Sequence, residues 1–194
     1  ITDNEILEVG PGTGNLTKEI LKKDPTKMYL IEKDTSLAKS LNEVVDERVQ
    51  IFNEDILKFD ENLISKNKIK VFENLPYNIS TEILSNWIVN LKEECWFTDL
   101  VLMFQKEVAD RIIAKSNTSA YGRLSILANW RLNINKICDI SPESFSPRPK
   151  IQSSLIHFTP KKKFADIKDP INLENITRIF FSHRRKMLKK PFNL

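Results

Sequence analysis

Glycine is scarce in this chain, with four in 194 residues. Cysteine and histidine are scarcer still, at two each. Cys95 and Cys138 fit no metal-ligand spacing and form no disulfide framework, so both are expected as free thiols of a reducing cytosol. His157 alternates with Ile156 and Phe158 in a strand pattern and is read as structural, while His183 carries no signal. No apolar run approaches the roughly 18 residues of a membrane-spanning helix, and no signal-peptide pattern is present. These absences argue against membrane insertion and export, and a cytoplasmic protein is expected. No internal repeat occurs.

The few glycines are not spread evenly. Gly10, Gly12 and Gly14 fall in Glu8-Val9-Gly10-Pro11-Gly12-Thr13-Gly14, between a short apolar strand and a helical pattern. Glycine tolerates positive φ and lets a ligand approach the backbone closely. The loop lacks the Gly-Lys-Ser/Thr ending of a P-loop and the G-x-G-x-x-G spacing of a dinucleotide site. It therefore favours close packing against a nucleoside over phosphate binding. The helix behind it offers N–H groups to a carboxylate.

Acids follow where a nucleoside needs them. The second apolar run, Met28–Ile31, ends in Glu32, which can accept both ribose hydroxyls. The third, Val49–Phe52, is followed by Asp55, either an acceptor for an adenine amino group or a helix cap before Ile56. The fourth, Ile69–Phe72, leads into Asn74-Leu75-Pro76-Tyr77. There the Asn74 side-chain oxygen and the Leu75 carbonyl are two acceptors, Pro76 stiffens the turn without an N–H to compete, and Tyr77 offers a flat face. Two acceptors beside an aromatic ring form a clamp for an exocyclic amino group on a planar base. All these sites fall at the ends of successive strands, where open α/β sheets bind ligands.

Charge is divided between the halves. Residues 1–99 hold 12 Lys+Arg against 19 Asp+Glu, and residues 100–194 hold 18 against 7. A basic second half is the footprint of a polyanionic partner. The run Arg184-Arg185-Lys186, with Lys189-Lys190, is the densest candidate for phosphate contact.

Alternation of β and α patterns predicts a largely parallel, doubly wound α/β sheet. Strands are expected at Ile6–Val9, Met28–Ile31, Val49–Phe52, Lys70–Phe72 and Leu100–Phe104, with helices at Leu16–Lys23, Ser36–Val45, Thr81–Asn90 and Lys106–Ala114. Two further strand-like segments, Ser125–Ile137 and Gln152–Phe158, read as a terminal hairpin, although Ser125–Trp130 equally fits a helix. A boundary is expected at Pro160–Lys163, between a domain of residues 1–160 and a helical segment of residues 161–194.

Taken together, Gly10-Pro11-Gly12-Thr13-Gly14, Leu30-Ile31-Glu32-Lys33-Asp34, Asn74-Leu75-Pro76-Tyr77-Asn78-Ile79-Ser80 and Gln105-Lys106-Glu107-Val108 resemble the KsgA-type small-subunit ribosomal RNA adenine N6-dimethyltransferases. Ala120-Tyr121-Gly122-Arg123-Leu124-Ser125 and Phe145-Ser146-Pro147-Arg148-Pro149-Lys150 extend the likeness, and Arg184-Arg185-Lys186 continues it. Erm resistance methylases share the glycine loop and a similar Asn-x-Pro-Tyr; the segments at 105–108 and 121–124 look more like the KsgA branch.

The resemblance implies a Rossmann-like class I S-adenosylmethionine-dependent methyltransferase. Its sheet would be seven-stranded and mostly parallel, followed by the start of a small helical C-terminal domain. It implies S-adenosylmethionine as cofactor, held by Gly10, Gly12, Gly14, Glu32, Lys33, Asp55, Ile56 and Asn74, with no metal. Asn74, Leu75, Pro76 and Tyr77 would form the catalytic motif, with Tyr77 and Phe145 stacking on the base; Phe145 can also be a core ring anchoring the hairpin. Arg184, Arg185 and Lys186 would contact RNA. The expected partner is small-subunit ribosomal RNA in the pre-ribosomal subunit, and the expected state is a monomer. Against the family, the chain is expected to lack a basic N-terminal arm and most of the C-terminal domain. Large-subunit RNA methylation and a non-catalytic RNA-binding role on the same fold are the alternatives.

Overall fold

The computed structural model describes residues 1–65, 67–73, 77–91, 94–146 and 148–182. Seven strands form one sheet: β1 (Glu5–Val9), β2 (Lys27–Ile31), β3 (Val49–Phe52), β4 (Ile69–Glu73), β5 (Phe97–Gln105), β6 (Leu132–Ile140) and β7 (Ser153–Pro160). Their spatial order is β3-β2-β1-β4-β5-β7-β6. The first five strands pair in parallel, whereas β7 runs antiparallel to both β5 and β6. The predicted terminal hairpin is therefore present. Because β2 and β4 flank β1 on opposite sides, successive connections leave it in opposite directions, and a crevice opens at its carboxyl end.

The helices are α1 (Asn15–Leu21), α2 (Thr35–Leu41), α3 (Tyr77–Asn90), α4 (Lys106–Ile112), α5 (Arg123–Arg131) and α6 (Pro170–Ser182). Strand alternation distributes the core between two faces. Ile6, Met28 and Leu30 meet Ile20 of α1 and Leu41 of α2. Leu7, Val9, Ile31, Val71, Leu100, Leu102 and Phe158 join the larger cluster with α3, α4 and α5. His157 stays within the sheet, its Nε2 2.7 Å from Asp99 Oδ1, while Lys70 Nζ lies 3.0 Å from Asp99 Oδ2. Cys95 and Cys138 are free thiols. Among the described residues no helix is long and apolar enough to cross a membrane.

Several boundaries differ from expectation: α2 ends at Leu41 rather than Val45, β5 begins at Phe97 rather than Leu100, and two further differences bear on the site. Residues 123–131 form helix α5, and the strand begins only at Leu132. Leu127, Ala128 and Arg131 are buried with Leu124 partly so, a helical spacing hidden in a segment that is apolar on most sides. Ser125 secures its start, accepting from the Gly122 N–H at 3.1 Å and donating to the Arg111 carbonyl. Helix α3 begins at Tyr77, four residues before the expected Thr81, so Tyr77 belongs to a helical first turn.

Helix α6 packs on α3 and α5. Arg123 Nη1 meets Glu174 Oε1 at 2.6 Å, and Tyr121 faces Phe181 edge-on with ring centroids 6.3 Å apart. The segment leading to α6 is tied back by Trp130 Nε1, which donates to the Ala165 carbonyl at 2.7 Å. The Arg131 guanidinium lies between the Trp130 and Phe164 rings, 4.4 Å from each centroid.

Candidate active site

The glycine loop leaves β1 at the crevice. Gly10 N–H donates to the Ile31 carbonyl at 2.9 Å, which binds the loop to the end of β2. Gly12 and Gly14 have φ of 57° and 75°, in the left-handed region that a side chain strains. Their surroundings differ. Among the described residues, and apart from its own chain neighbours, no atom lies within 4 Å of the place a Gly12 Cβ would occupy, which leaves room there for a ligand. At Gly14 a Cβ would come within 3.0 Å of Leu41 Cδ2 and 3.2 Å of Val44 Cγ2, so glycine there permits α1 to pack against the end of α2.

Glu32 holds this loop. The residue is only 8% exposed, and its carboxylate accepts the Gly12 N–H on Oε2 at 3.1 Å and the Asp34 N–H on Oε1 at 2.8 Å. Each oxygen keeps acceptor capacity for a further donor. Asp34 in turn caps α2, accepting from the Ser36 and Leu37 N–H groups at 2.8 and 3.0 Å. Asn53 Nδ2 donates to the Glu32 carbonyl at 2.9 Å and fastens the exit of β3 to that of β2.

Asp55 caps a turn rather than a helix and pairs with a lysine. Its Oδ1 accepts the Leu57 N–H at 3.1 Å, closing the turn, and its Oδ2 pairs with Lys33 Nζ at 2.8 Å. The Lys33 ammonium holds the Asp55 carboxyl below the usual carboxylate range. Ile56, expected beside the cofactor, is buried in the larger core cluster. Beneath the loop, Glu8 is 1% exposed and accepts the Thr17 hydroxyl at 2.7 Å. Burial pushes its carboxyl up to about 7, against the lowering effect of that hydroxyl.

On the other side of the crevice, β4 ends in Glu73, 2% exposed, whose Oε1 accepts from Ser80 Oγ at 2.6 Å. Asn74, Leu75 and Pro76 lie outside the described residues, as do Arg184, Arg185 and Lys186. The Glu73–Ser80 bond ties together the two flanks of the 74–76 segment. Tyr77 is half-buried, its hydroxyl 2.7 Å from Ser153 Oγ at the start of β7. Phe145 is half-buried and, with Leu16, Phe72, Glu73, Met103 and Leu155, lines a cavity of about 310 Å³. The glycines, Glu32, Lys33 and Asp55 thus gather at the ends of β1, β2 and β3, and Tyr77 stands beyond the end of β4. Among the described residues no cluster of metal-ligating side chains occurs.

A family model of ribosomal RNA adenine dimethylases matches residues 2–194. The chain belongs to the ribosomal RNA adenine dimethylase family. Within that family it is 65% identical over 193 residues to a "Ribosomal RNA small subunit methyltransferase A" from Pelagibacter ubique, covering 100% of this chain and 74% of the relative. A Wolbachia protein of the same name is 44% identical over 192 residues, covering 95% of this chain and 68% of the relative. Among solved structures, a dimethyladenosine transferase from Plasmodium falciparum superposes with a TM-score of 0.77 at 27% identity, covering 100% of this chain and 68% of that one. The 23S rRNA methyltransferase ErmE gives 0.70 at 22% identity over 93% of this chain and 71% of that one, which shows the shared fold. The fold is that of a class I methyltransferase.

Three residues of this dimethylase escaped sequence reasoning. Glu8 had a signal, an acid inside a strand buried on both faces, where charge is costly. Asn53 and Ser153 had none, since both are common residues whose partners lie 21 and 76 positions away.

Proposed function

We propose that the protein transfers methyl groups from S-adenosylmethionine to the N6 of two adjacent adenines in small-subunit ribosomal RNA, dimethylating each during subunit maturation. The observation that carries this is the Glu32 carboxylate accepting the Gly12 N–H at 3.1 Å beside an open backbone surface, at the switch point of the sheet. That surface fits the close approach of a nucleoside, and the remaining acceptor capacity of Glu32 fits its ribose hydroxyls. Gly10, Gly14, Lys33, Asp55, Ile56 and Asn74 complete the cofactor site, with Asp55 turned toward the adenine amino group once Lys33 yields. When bound, S-adenosylmethionine supplies a methyl group on a sulfonium sulfur, open to direct displacement.

The protein's own task is positioning. An adenine N6 lone pair is delocalised into the ring and is a poor nucleophile. The Asn74 side-chain oxygen and the Leu75 carbonyl accept the two amino hydrogens and favour a pyramidal nitrogen, while Pro76 keeps the turn stiff. Tyr77 and Phe145 stack on the base after it leaves its helix and offset part of the unstacking cost. No general base is required, because the alkylated nitrogen is acidic and sheds its proton to water.

Residues 1–160 form the methyltransferase domain in this proposal, and residues 161–194 begin a C-terminal helical domain whose Arg184, Arg185 and Lys186 meet RNA phosphates. The protein acts as a cytoplasmic monomer on the pre-ribosomal small subunit. The test is mass spectrometry of RNA from small subunits of a dimethylase-deficient strain, incubated with the protein and isotope-labelled S-adenosylmethionine. N6,N6-dimethyladenine at two neighbouring positions of the small-subunit RNA is expected. No label, or label without two neighbouring dimethylated adenines, contradicts the proposal; parallel incubation with large subunits tests the alternative, in which label appears in large-subunit RNA alone.

A further inference from the structure

The bond between Tyr77 and Ser153 joins a helix start to a strand start 76 positions later. Its two ends are held very differently. Ser153 has no exposed surface. It stands opposite Gln105 of β5 on one side and Ile140 of β6 on the other, so ladders fix it from both directions. Next to it, the Lys106 N–H donates to the Gln152 carbonyl at 2.9 Å. Because β7 is antiparallel, its first residue rather than its last lies level with the carboxyl ends of the parallel strands. Tyr77, in contrast, is half-buried on the first turn of α3, directly after the amino-clamp segment. A phenylalanine would fill the same space. The phenol adds a hydroxyl whose partner is rigid and buried, and such a bond selects one side-chain rotamer among the staggered alternatives.

We infer that Ser153 is a positioning residue for methyl transfer, fixing the Tyr77 ring through its phenol before the target adenine arrives. This rests on the stacking role proposed above for Tyr77. A ring already fixed loses less freedom when a base stacks on it. The bond therefore acts mainly on the rate of transfer and little on cofactor affinity, since the Ser153 hydroxyl bonds to Tyr77 while Glu32 holds the Gly12 and Asp34 N–H groups.

The experiment is single-turnover methylation of small-subunit particles by wild type, Ser153→Ala, Tyr77→Phe and the double variant, with calorimetric titration of S-adenosylhomocysteine alongside. Each single substitution is expected to slow transfer about three- to tenfold, the span of one neutral hydrogen bond. RNA KM and cofactor affinity should stay within about twofold, and the double variant should be no slower than the slower single. Wild-type transfer in Ser153→Ala, or effects that multiply in the double variant, overturns the inference. Should Ser153→Ala fail to fold, Tyr77→Phe removes the same bond without touching β7, and its wild-type rate has the same consequence. Tyr77→Ala separates the two levels. Wild-type transfer there contradicts the stacking role itself, whereas loss of transfer there with unchanged Ser153→Ala removes Ser153 alone.

Discussion

A glutamate that is 1% exposed and has one hydroxyl donor is an expensive residue to keep under a loop, and Glu8 is such a residue. Its folded carboxyl titrates at about 7, against 4.5 as its ordinary value. A raised carboxyl means that the folded state binds the proton more tightly than the unfolded chain does. Its stabilising effect is therefore complete below about 4.5 and is lost as pH rises through about 7. Glu8→Gln keeps an acceptor for Thr17 without the titration. Urea denaturation from pH 5 to 8 should show wild type losing ground to Glu8→Gln, by up to about 3 kcal/mol across the window. A pH-independent difference between the two proteins would contradict the burial account. At this scale the sequence was legible where residue types are distinctive. Clustered glycines announced the loop, and Glu32 was found by its position after β2. Ser153 was illegible because serine is unremarkable until the fold brings a phenol to it.

Among elements, the glycine loop and α1 show how one motif divides two tasks. Gly14 carries both a positive φ and a Cβ position within 3.0 Å of Leu41, whereas Gly12 carries the φ alone. Gly14→Ala should destabilise the fold by roughly 2–4 kcal/mol, as strain and overpacking add. Gly12→Ala should cost about 1–2 kcal/mol of stability, yet lower S-adenosylhomocysteine affinity more than its stability loss implies. Denaturant midpoints and calorimetric titration of both variants check the contrast, and equal stability losses would contradict it. Strand positions were readable because parallel strands buried on both faces give continuous apolar runs bounded by polar residues. Helix α5 was not, since Leu124–Trp130 is apolar on too many sides for one period to stand out. The start of α3 was hidden by Pro76, after which Tyr77 enters the helix at once.

The whole molecule is electrically divided. The acidic first half, with 19 Asp+Glu, contains the glycine loop, Glu32 and residues 74–77, and the basic second half, with 18 Lys+Arg, contains the candidate phosphate contacts. If RNA is the partner, as proposed above, a basic second half supplies charge of the sign that attracts it. Neutralising Arg184, Arg185 and Lys186 together should weaken all RNA ligands alike and flatten the slope of log affinity against log salt by about two units. Filter binding across a salt series measures it, and an unchanged slope assigns the cluster to solvent. Methyl transfer as proposed above requires the motif that follows β4 to grip the adenine amino group. The most direct test of that grip is the single-turnover rate of labelled methyl transfer to small-subunit RNA by Asn74→Ala, with cofactor affinity measured in parallel. A rate lower by on the order of 10²–10³ is expected, with cofactor affinity within a few-fold of wild type. A rate constant that barely moves would contradict it.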